Sequence, residues 1–335
     1  DTLLCMSASS HAHAAPVTSL VHLDGRLVPH DQARVSVFDH GFLFGDGIYE
    51  GLRAYVCPRT RQRRVIAVNR HVRRMQAGCD EIRIRFDARA IAPLTEQLLD
   101  ANSLGDAFVY WQVSRGTPAM AAGPVRSRVP RTEIRPTLFG YVAPVPAIDF
   151  DTPLPATKRV SIQPDTRWIR GHVKSISLLG GVIAAIDAHR LFGADEALLV
   201  RASTPSPANS LTPVPADGLL TEGTYTNVVI ATRDGELATP DLRTAPLLDG
   251  VTRQVLLHCR PDIRVRDIRL SELRSAAEVL LIGSTTMVTS VTHVDGEPIA
   301  DAPGPAARSL LSSLLDCMTR HDDDIALADV QGHLL

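Results

Sequence analysis

Lysine is nearly missing from this chain: of its 35 basic residues only Lys158 and Lys174 are lysines. No apolar run approaches the length of a membrane span, so a membrane-crossing helix is not expected. Five cysteines, Cys5, Cys57, Cys79, Cys259 and Cys317, are scattered and form no C-x-x-C pair. That pattern argues against a disulfide framework and a zinc knuckle, and points to a reducing, cytoplasmic setting with no metal. A net charge of −2 gives no global field for nucleic acid or an anionic membrane. Neither a G-x-S-x-G elbow, an H-E-x-x-H pair nor a Walker loop occurs, and the glycines of "GFLFGDGIYEG" are not spaced G-x-G-x-x-G. The first fifteen residues lack the basic and apolar regions of a secretory signal and read as a disordered tail.

What remains is ordinary globular composition, 44% hydrophobic over 335 residues, enough to bury a core. From "TSLVHLDGRLVP" through "GIYEGLRAYV" and "RRVIAVN" the pattern is antiparallel hairpins. "RHVRRMQAGCDEI" and "ARAIAPLTEQLLDAN" carry helical spacing, and "AFVYWQVSRGT" returns to strand. "YVAPVPAIDFDTPLP" holds four prolines and reads as an extended linker. Beyond it, "SLLGGVIAAIDAHRLFG" predicts a helix stopped by Gly193, and "EALLV" and "LLTEGTYTNVVIAT" predict strands. "PLLDGVTRQVLLHC" then enters another helix. "AAEVLLIGSTTMVTSVTHVDG" reads as strand, loop and strand, and "APGPAARSLLSSLLDCMTR" as a closing helix. The expected organisation is a tail over 1–16, a small domain over 17–142, a linker over 143–156, a large domain over 157–318 and a tail over 319–335. The Ser/Pro-rich stretch 201–218 reads as a surface loop.

Lys174, set in "RGHVKSISLLGG", is the residue to examine first. Arginine does not lose its proton in a protein, whereas a lysine in apolar surroundings becomes a neutral amine and a nucleophile. Lys158, in "PATKRV", reads instead as an ordinary surface lysine. An amine that forms an imine with a cofactor aldehyde needs an anion cradle and an acidic partner nearby. Gly250, Val251 and Thr252 fall where a loop becomes a helix, at the positive end of the helix dipole. Ser284, Thr285 and Thr286 follow a strand, and His71 and Arg74 share a helical face. Taken singly, each also reads as a helix cap, a turn or a solvated face. Glu222, beside Gly223, could pair with a ring nitrogen or be a plain hairpin carboxylate.

Together, "DHGFLFGDGIYEGLRAY", "RHVRRM", "YWQVSRGT", "RWIRGHVKSISLL", "LLTEGTYTN", "LLDGVTRQV" and "IGSTTMVTSV" follow the order and spacing of the class IV pyridoxal-phosphate aminotransferases. The resemblance runs from about Val21 to Met318. It implies an α+β, two-domain fold type IV enzyme, with a small N-terminal α/β sandwich and a larger, β-barrel-like C-terminal domain with flanking helices. A homodimer and the cofactor pyridoxal 5′-phosphate are implied as well. On the same resemblance Lys174 is the Schiff-base lysine and Glu222 faces the pyridine nitrogen. Arg74, Val251, Thr252, Ser284 and Thr285 then hold the phosphate, with Gly250 and Thr224 beside the cofactor and Leu248 against the ring. Tyr49, Gly51, Arg53, Tyr110, Gln112 and Thr286 fall at substrate positions.

Gln112 and Leu179 resemble the D-amino-acid transaminases, whereas "EGLRAY" resembles the branched-chain enzymes. The Arg-x-His pair that typical D-amino-acid transaminases turn toward the substrate carboxylate is missing after "SRGT", which leaves Arg53, Arg126 or Arg128 for that task. The expectation is a transaminase moving an amino group from a D-amino acid such as D-alanine to a 2-oxo acid such as 2-oxoglutarate or pyruvate. A branched-chain L-amino-acid aminotransferase is the next reading. After it come an (R)-selective amine transaminase, an aminodeoxychorismate lyase, and a non-catalytic anion-binding protein using the arginine-rich tip at 57–64.

Overall fold

A computed structural model describes residues 19–119, 126–129, 133–202, 214, 218–299 and 302–321. The tail 1–16, all but three residues of 319–335, most of 201–218 and part of the 116–131 loop lie outside the described residues. No described helix is long and apolar enough to cross a membrane.

The first sheet has six strands: β1 (Leu20–Leu23), β2 (Arg26–Pro29), β3 (Gly47–Val56), β4 (Arg63–Val65), β5 (Ala107–Ser114) and β6 (Thr137–Pro144). They run in the order β2-β1-β6-β5-β3-β4 with every pairing antiparallel. The strand period of two sorts their side chains. Ile48, Leu52, Val109, Trp111 and Val113 point into a core covered by two helices, α2 (Val68–Glu81) and α3 (Ile91–Ala101), after the short α1 (His40–Phe44). Tyr49, Gly51, Phe108, Tyr110, Phe139 and Tyr141 alternate with them on the other, half-exposed face.

The second sheet holds β7 (Ala156–Pro164), β8 (Glu196–Arg201), β9 (Leu219–Gly223), β10 (Asn227–Ala231), β11 (Leu237–Thr239), β12 (Arg264–Val265), β13 (Glu278–Gly283), β14 (Met287–Val294) and β15 (Glu297–Pro298). Its order is β12-β11-β10-β13-β14-β7-β8-β9, with β15 on β14. Strand β9 lies at one edge, yet a tight turn with a Gly223 N–H to Thr226 O bond feeds it into β10, near the opposite edge. The sheet must therefore curl on itself, which gives the barrel-like half of the fold. Its helices are α4 (Leu179–Phe192), α5 (Val251–Cys259), α6 (Leu270–Ser275) and α7 (Pro305–Arg320). Gly193, at φ 59°, ends α4 in the left-handed conformation, as its position predicts.

Two features fix how the sheets meet. Tyr55, Cys57, Ile66 and Ala67 of the first unit share a core with Leu280, Ile282, Val255 and the apolar face of α7, and the Tyr55 hydroxyl donates to Met318 O at 3.1 Å. Ile148 and Phe150, inside the proline-rich stretch, pack on that same core. The second feature is a stitch. Strands β7 and β8 are parallel, so a crossover must join them, and α4 supplies it. The segment leading into α4 pairs with the start of β3, through Tyr49 N to Lys174 O at 3.0 Å and Ile176 N to Gly47 O at 3.1 Å.

Candidate active site

That stitched segment carries Lys174, and it borders a cavity of about 510 Å³ between the two sheets. The Lys174 Nζ lies 4.4 Å from the centroid of the Tyr49 ring, and no salt bridge holds it among the described residues. An amine this close to a ring face is steadied without being neutralised by a carboxylate.

One end of the cavity suits an anion. Helix α5 begins at Val251 with Gly250 as its cap residue, and no side chain caps it, so its first amides stay available. Gly250 leaves room for a neighbour there: a Cβ would sit 1.8 Å from Asn227 Oδ1, so that side chain or the helix start would have to shift. Ser284, Thr285 and Thr286 line the same end from the turn between β13 and β14. Arg74, on α2, reaches it with Nη1 3.0 Å from Asp249 O. Its remaining donors form a fork on Glu50, Nε to Oε1 at 2.8 Å and Nη2 to Oε2 at 2.7 Å. His71 Nδ1 lies 2.7 Å from the same Oε2. Burial pushes the Glu50 carboxyl up, but Arg74 and His71 together outweigh it and hold the group at about 2.

The other end holds Glu222, the penultimate residue of β9. Its Oε1 accepts from Arg167 Nη1 at 2.6 Å, and its Oε2 from Leu248 N at 3.1 Å and Asn227 Nδ2 at 3.3 Å. Burial keeps the carboxyl above its ordinary range, with Arg167 and the Leu248 amide opposing. Arg167 is itself forked onto Asp165, whose side chain is shielded from solvent and also accepts from Thr221 Oγ1 at 3.0 Å. The buried Thr224 hydroxyl, on the cavity wall, has no hydrogen-bond partner among the described residues.

The structure thus brings together around one cavity Lys174, Glu222, Thr224, Leu248, Gly250, Val251, Thr252, Ser284, Thr285, Thr286, Arg74, Tyr49 and Gly51. Other expected substrate residues do not line it. Arg53 turns its Nη2 onto Pro146 O at 2.6 Å. The Tyr110 hydroxyl donates to Gln112 Oε1 at 2.9 Å, on the aromatic face of the first sheet. Arg126 stacks 5.7 Å from the Phe44 ring, and Arg128 is exposed. His71 is buried behind Arg74. Conversely, sequence reasoning does not reach Glu50, Asp165, Arg167 and Asn227. Their roles depend on strand pairings far apart in the chain, and the placement of Arg167 seven residues before Lys174 is the one local hint.

The donor set is a test of cofactor fit. An amine, a carboxylate held by donors, an uncapped helix start with hydroxyls and a guanidinium, and an orphaned hydroxyl between them match a phosphorylated pyridine aldehyde at each of its polar groups. Comparison with known proteins agrees. A model of the family described as amino-transferase class IV matches residues 47–294. A D-alanine aminotransferase of Listeria monocytogenes is 28% identical over 320 residues, covering 92% of this chain and 99% of the relative. In fold, the chain is similar to the branched-chain aminotransferase of Thermoproteus uzoniensis, solved with norvaline, at TM-score 0.74 and 22% identity over 90% of this chain and 95% of that one. The branched-chain amino acid aminotransferase of Thermobaculum terrenum, solved in its PLP form, gives TM-score 0.73 at 21% identity over 91% of this chain and 95% of that one. The chain belongs to the class IV aminotransferases, enzymes that work with pyridoxal 5′-phosphate.

Proposed function

We propose that the protein transfers the amino group of a D-amino acid, D-alanine in the first instance, to a 2-oxo acid such as 2-oxoglutarate or pyruvate. The observation that carries the chemistry is the single cavity uniting Lys174, Glu222 and the anion end at Gly250–Thr252. The D-alanine aminotransferase relatives, aligned over most of the chain, support the donor. When bound, the cofactor supplies an aldehyde that condenses with amines and a ring that draws electrons from the substrate Cα.

The chain's own groups do the rest. Val251 and Thr252 amides, Ser284, Thr285 and Arg74 would hold the phosphate. Leu248 would pack against the ring, and Glu222 would hold a proton at the pyridine nitrogen. Lys174 Nζ, as a free amine, would take the proton from the substrate Cα as general base and deliver it as general acid to the carbon that had been the cofactor's aldehyde. Arg74 and Arg167, the guanidiniums of the cavity wall, are both committed to carboxylates, so the substrate carboxylate needs another donor. Arg126 or Arg128, on the loop after β5, is our choice, and because neither lines the cavity in this structure, either has to move to reach the substrate.

We also propose a homodimer and a cytoplasmic setting. Leu179, Ile183 and Ile186 on α4 are 71%, 50% and 48% exposed and, with Ile169 at 79%, form an apolar strip beside the cavity that a second copy would cover. Sedimentation of the protein as an active monomer would remove the dimer.

A branched-chain L-amino-acid donor is the second reading, favoured by Gly51 on the cavity wall and by the branched-chain fold neighbours. The deciding experiment is an absorption spectrum of the protein reconstituted with pyridoxal 5′-phosphate. D-alanine, L-leucine and (R)-1-phenylethylamine are added separately. Fastest bleaching by D-alanine supports the proposal, and fastest bleaching by L-leucine replaces it with the second reading.

A further inference from the structure

Lys158, expected to be an ordinary surface lysine, is not one. It lies on β7 with its Nζ donating to the Tyr225 hydroxyl at 2.6 Å and standing 3.5 Å from Glu196 Oε2. Glu196 is 1% exposed, and its Oε2 has no hydrogen-bond partner among the described residues, so the ammonium is its counter-charge. The other oxygen, Oε1, accepts from Thr226 Oγ1 at 2.7 Å and Tyr225 N at 3.3 Å. The turn from β9 to β10 is therefore built on this carboxylate. A Cβ at Gly223 would lie 2.4 Å from Glu196 Oε1 and 2.3 Å from Thr226 Oγ1, so a side chain there would push that carboxylate or hydroxyl aside. Thr224, Tyr225 and Thr226 of that turn line the cavity, and the Tyr225 side chain is otherwise half exposed.

We infer that Lys158 is a positioning residue: through Tyr225 it fixes the wall of the cavity that decides which amino donors fit. A compact ammonium serves the phenol and the carboxylate from one nitrogen, whereas a guanidinium would spread the two contacts over separate nitrogens of a wider planar fork. This explains a second lysine in a chain that otherwise uses arginine. The inference rests on the aminotransferase reading of the cavity, and it concerns selectivity, since Lys174 and Glu222 are held by other contacts.

The test compares wild type with Lys158→Met, Tyr225→Phe and the double variant, using D-alanine and a bulkier D-amino acid. Lys158→Met should change the ratio of kcat/KM between the two donors at least about fivefold, chiefly through KM, with kcat for the better donor within about twofold. Tyr225→Phe should reproduce the shift, and the double variant should add little, because the two residues act together. A second arm uses the cofactor-free protein. Competitive acetylation, read by mass spectrometry on the two lysines, should label Lys158 at least about tenfold faster in Tyr225→Phe than in wild type. Unchanged donor ratios in a folded Lys158→Met, independent effects in the double variant, or equal labelling rates overturn the inference. If Lys158→Met does not fold, Tyr225→Phe alone still decides through its donor ratio and labelling. Wild type inactive with every donor overturns the underlying reading as well, whereas an active wild type with an indifferent Lys158→Met overturns only this step.

Discussion

Arg167 Nη1 stands 2.6 Å from Glu222 Oε1, so the acidic residue of the cavity is itself held by a cation. Arg167→Met leaves Glu222 buried with only the Leu248 and Asn227 amides, which pushes its carboxyl further up and favours the protonated form. The acid limb of the kcat profile should then move to higher pH. At a fixed pH on that limb, kcat should fall about tenfold if the limb moves by about one on the pH scale. Arg167→Lys should recover part of it. A pH profile identical to that of wild type would show that Arg167 serves only the fold.

Lys174→Ala should abolish borohydride fixation of pyridoxal 5′-phosphate to the protein and lower kcat by about 10³-fold or more, with the melting temperature little changed. Mass spectrometry after reduction reads this directly. Cofactor mass found instead on Lys158 would contradict the assignment.

Gly250→Ala forces a Cβ to within 1.8 Å of Asn227 Oδ1. Either the start of α5 or the Asn227 side chain, with its contact to Glu222, has to shift, so the dissociation constant for pyridoxal 5′-phosphate should rise roughly tenfold or more. Quenching of Trp168, which lines the cavity, offers the readout, because Trp111 is fully buried elsewhere.

Glu50 sets the acid tolerance. Its carboxyl is held at about 2 against an ordinary 4.5, so its contribution is complete above 4.5 and is lost as pH falls toward 2. The difference corresponds to something on the order of 3 kcal/mol. His71, kept below its ordinary 6.5 by burial despite the opposing Glu50, begins to cost stability as pH drops through 6.5. Calorimetry should show the melting temperature declining below 6.5 and most steeply below 4.5. Glu50→Gln should lower it at neutral pH, by leaving Arg74 buried without its partner, and flatten the decline below 4.5.

Much of this is legible in the sequence because it is local. Gly193 stops α4 where its φ requires, and Gly250 opens α5 where a loop becomes a helix. Lys174 stands out as one of two lysines and by the apolar run that follows it. Arg74 reads as a phosphate ligand on a helical face, but its tether, Glu50, sits on a strand and meets it only once α2 packs on the sheet. Arg53 fails as a cavity residue for the related reason that alternation along β3 gives a face but not a rotamer, and its guanidinium finds Pro146 O. Lys158 looks ordinary in the sequence because its partners, Glu196 and Tyr225, lie well beyond β7 in the chain and come beside it only when β8 pairs with β7 and the turn after β9 settles on Glu196.

The shared core beneath Tyr55 has a consequence for biosynthesis. Tyr55 and Ile66 are covered by Leu310, Leu314 and Met318 of α7, about 250 residues later in the chain. At ribosomal rates that is roughly 10–50 s during which this apolar surface stays open while its own sheet is already pairing. The nascent protein is thus the form most exposed to aggregation, and arrival of the last helix is the event that closes it.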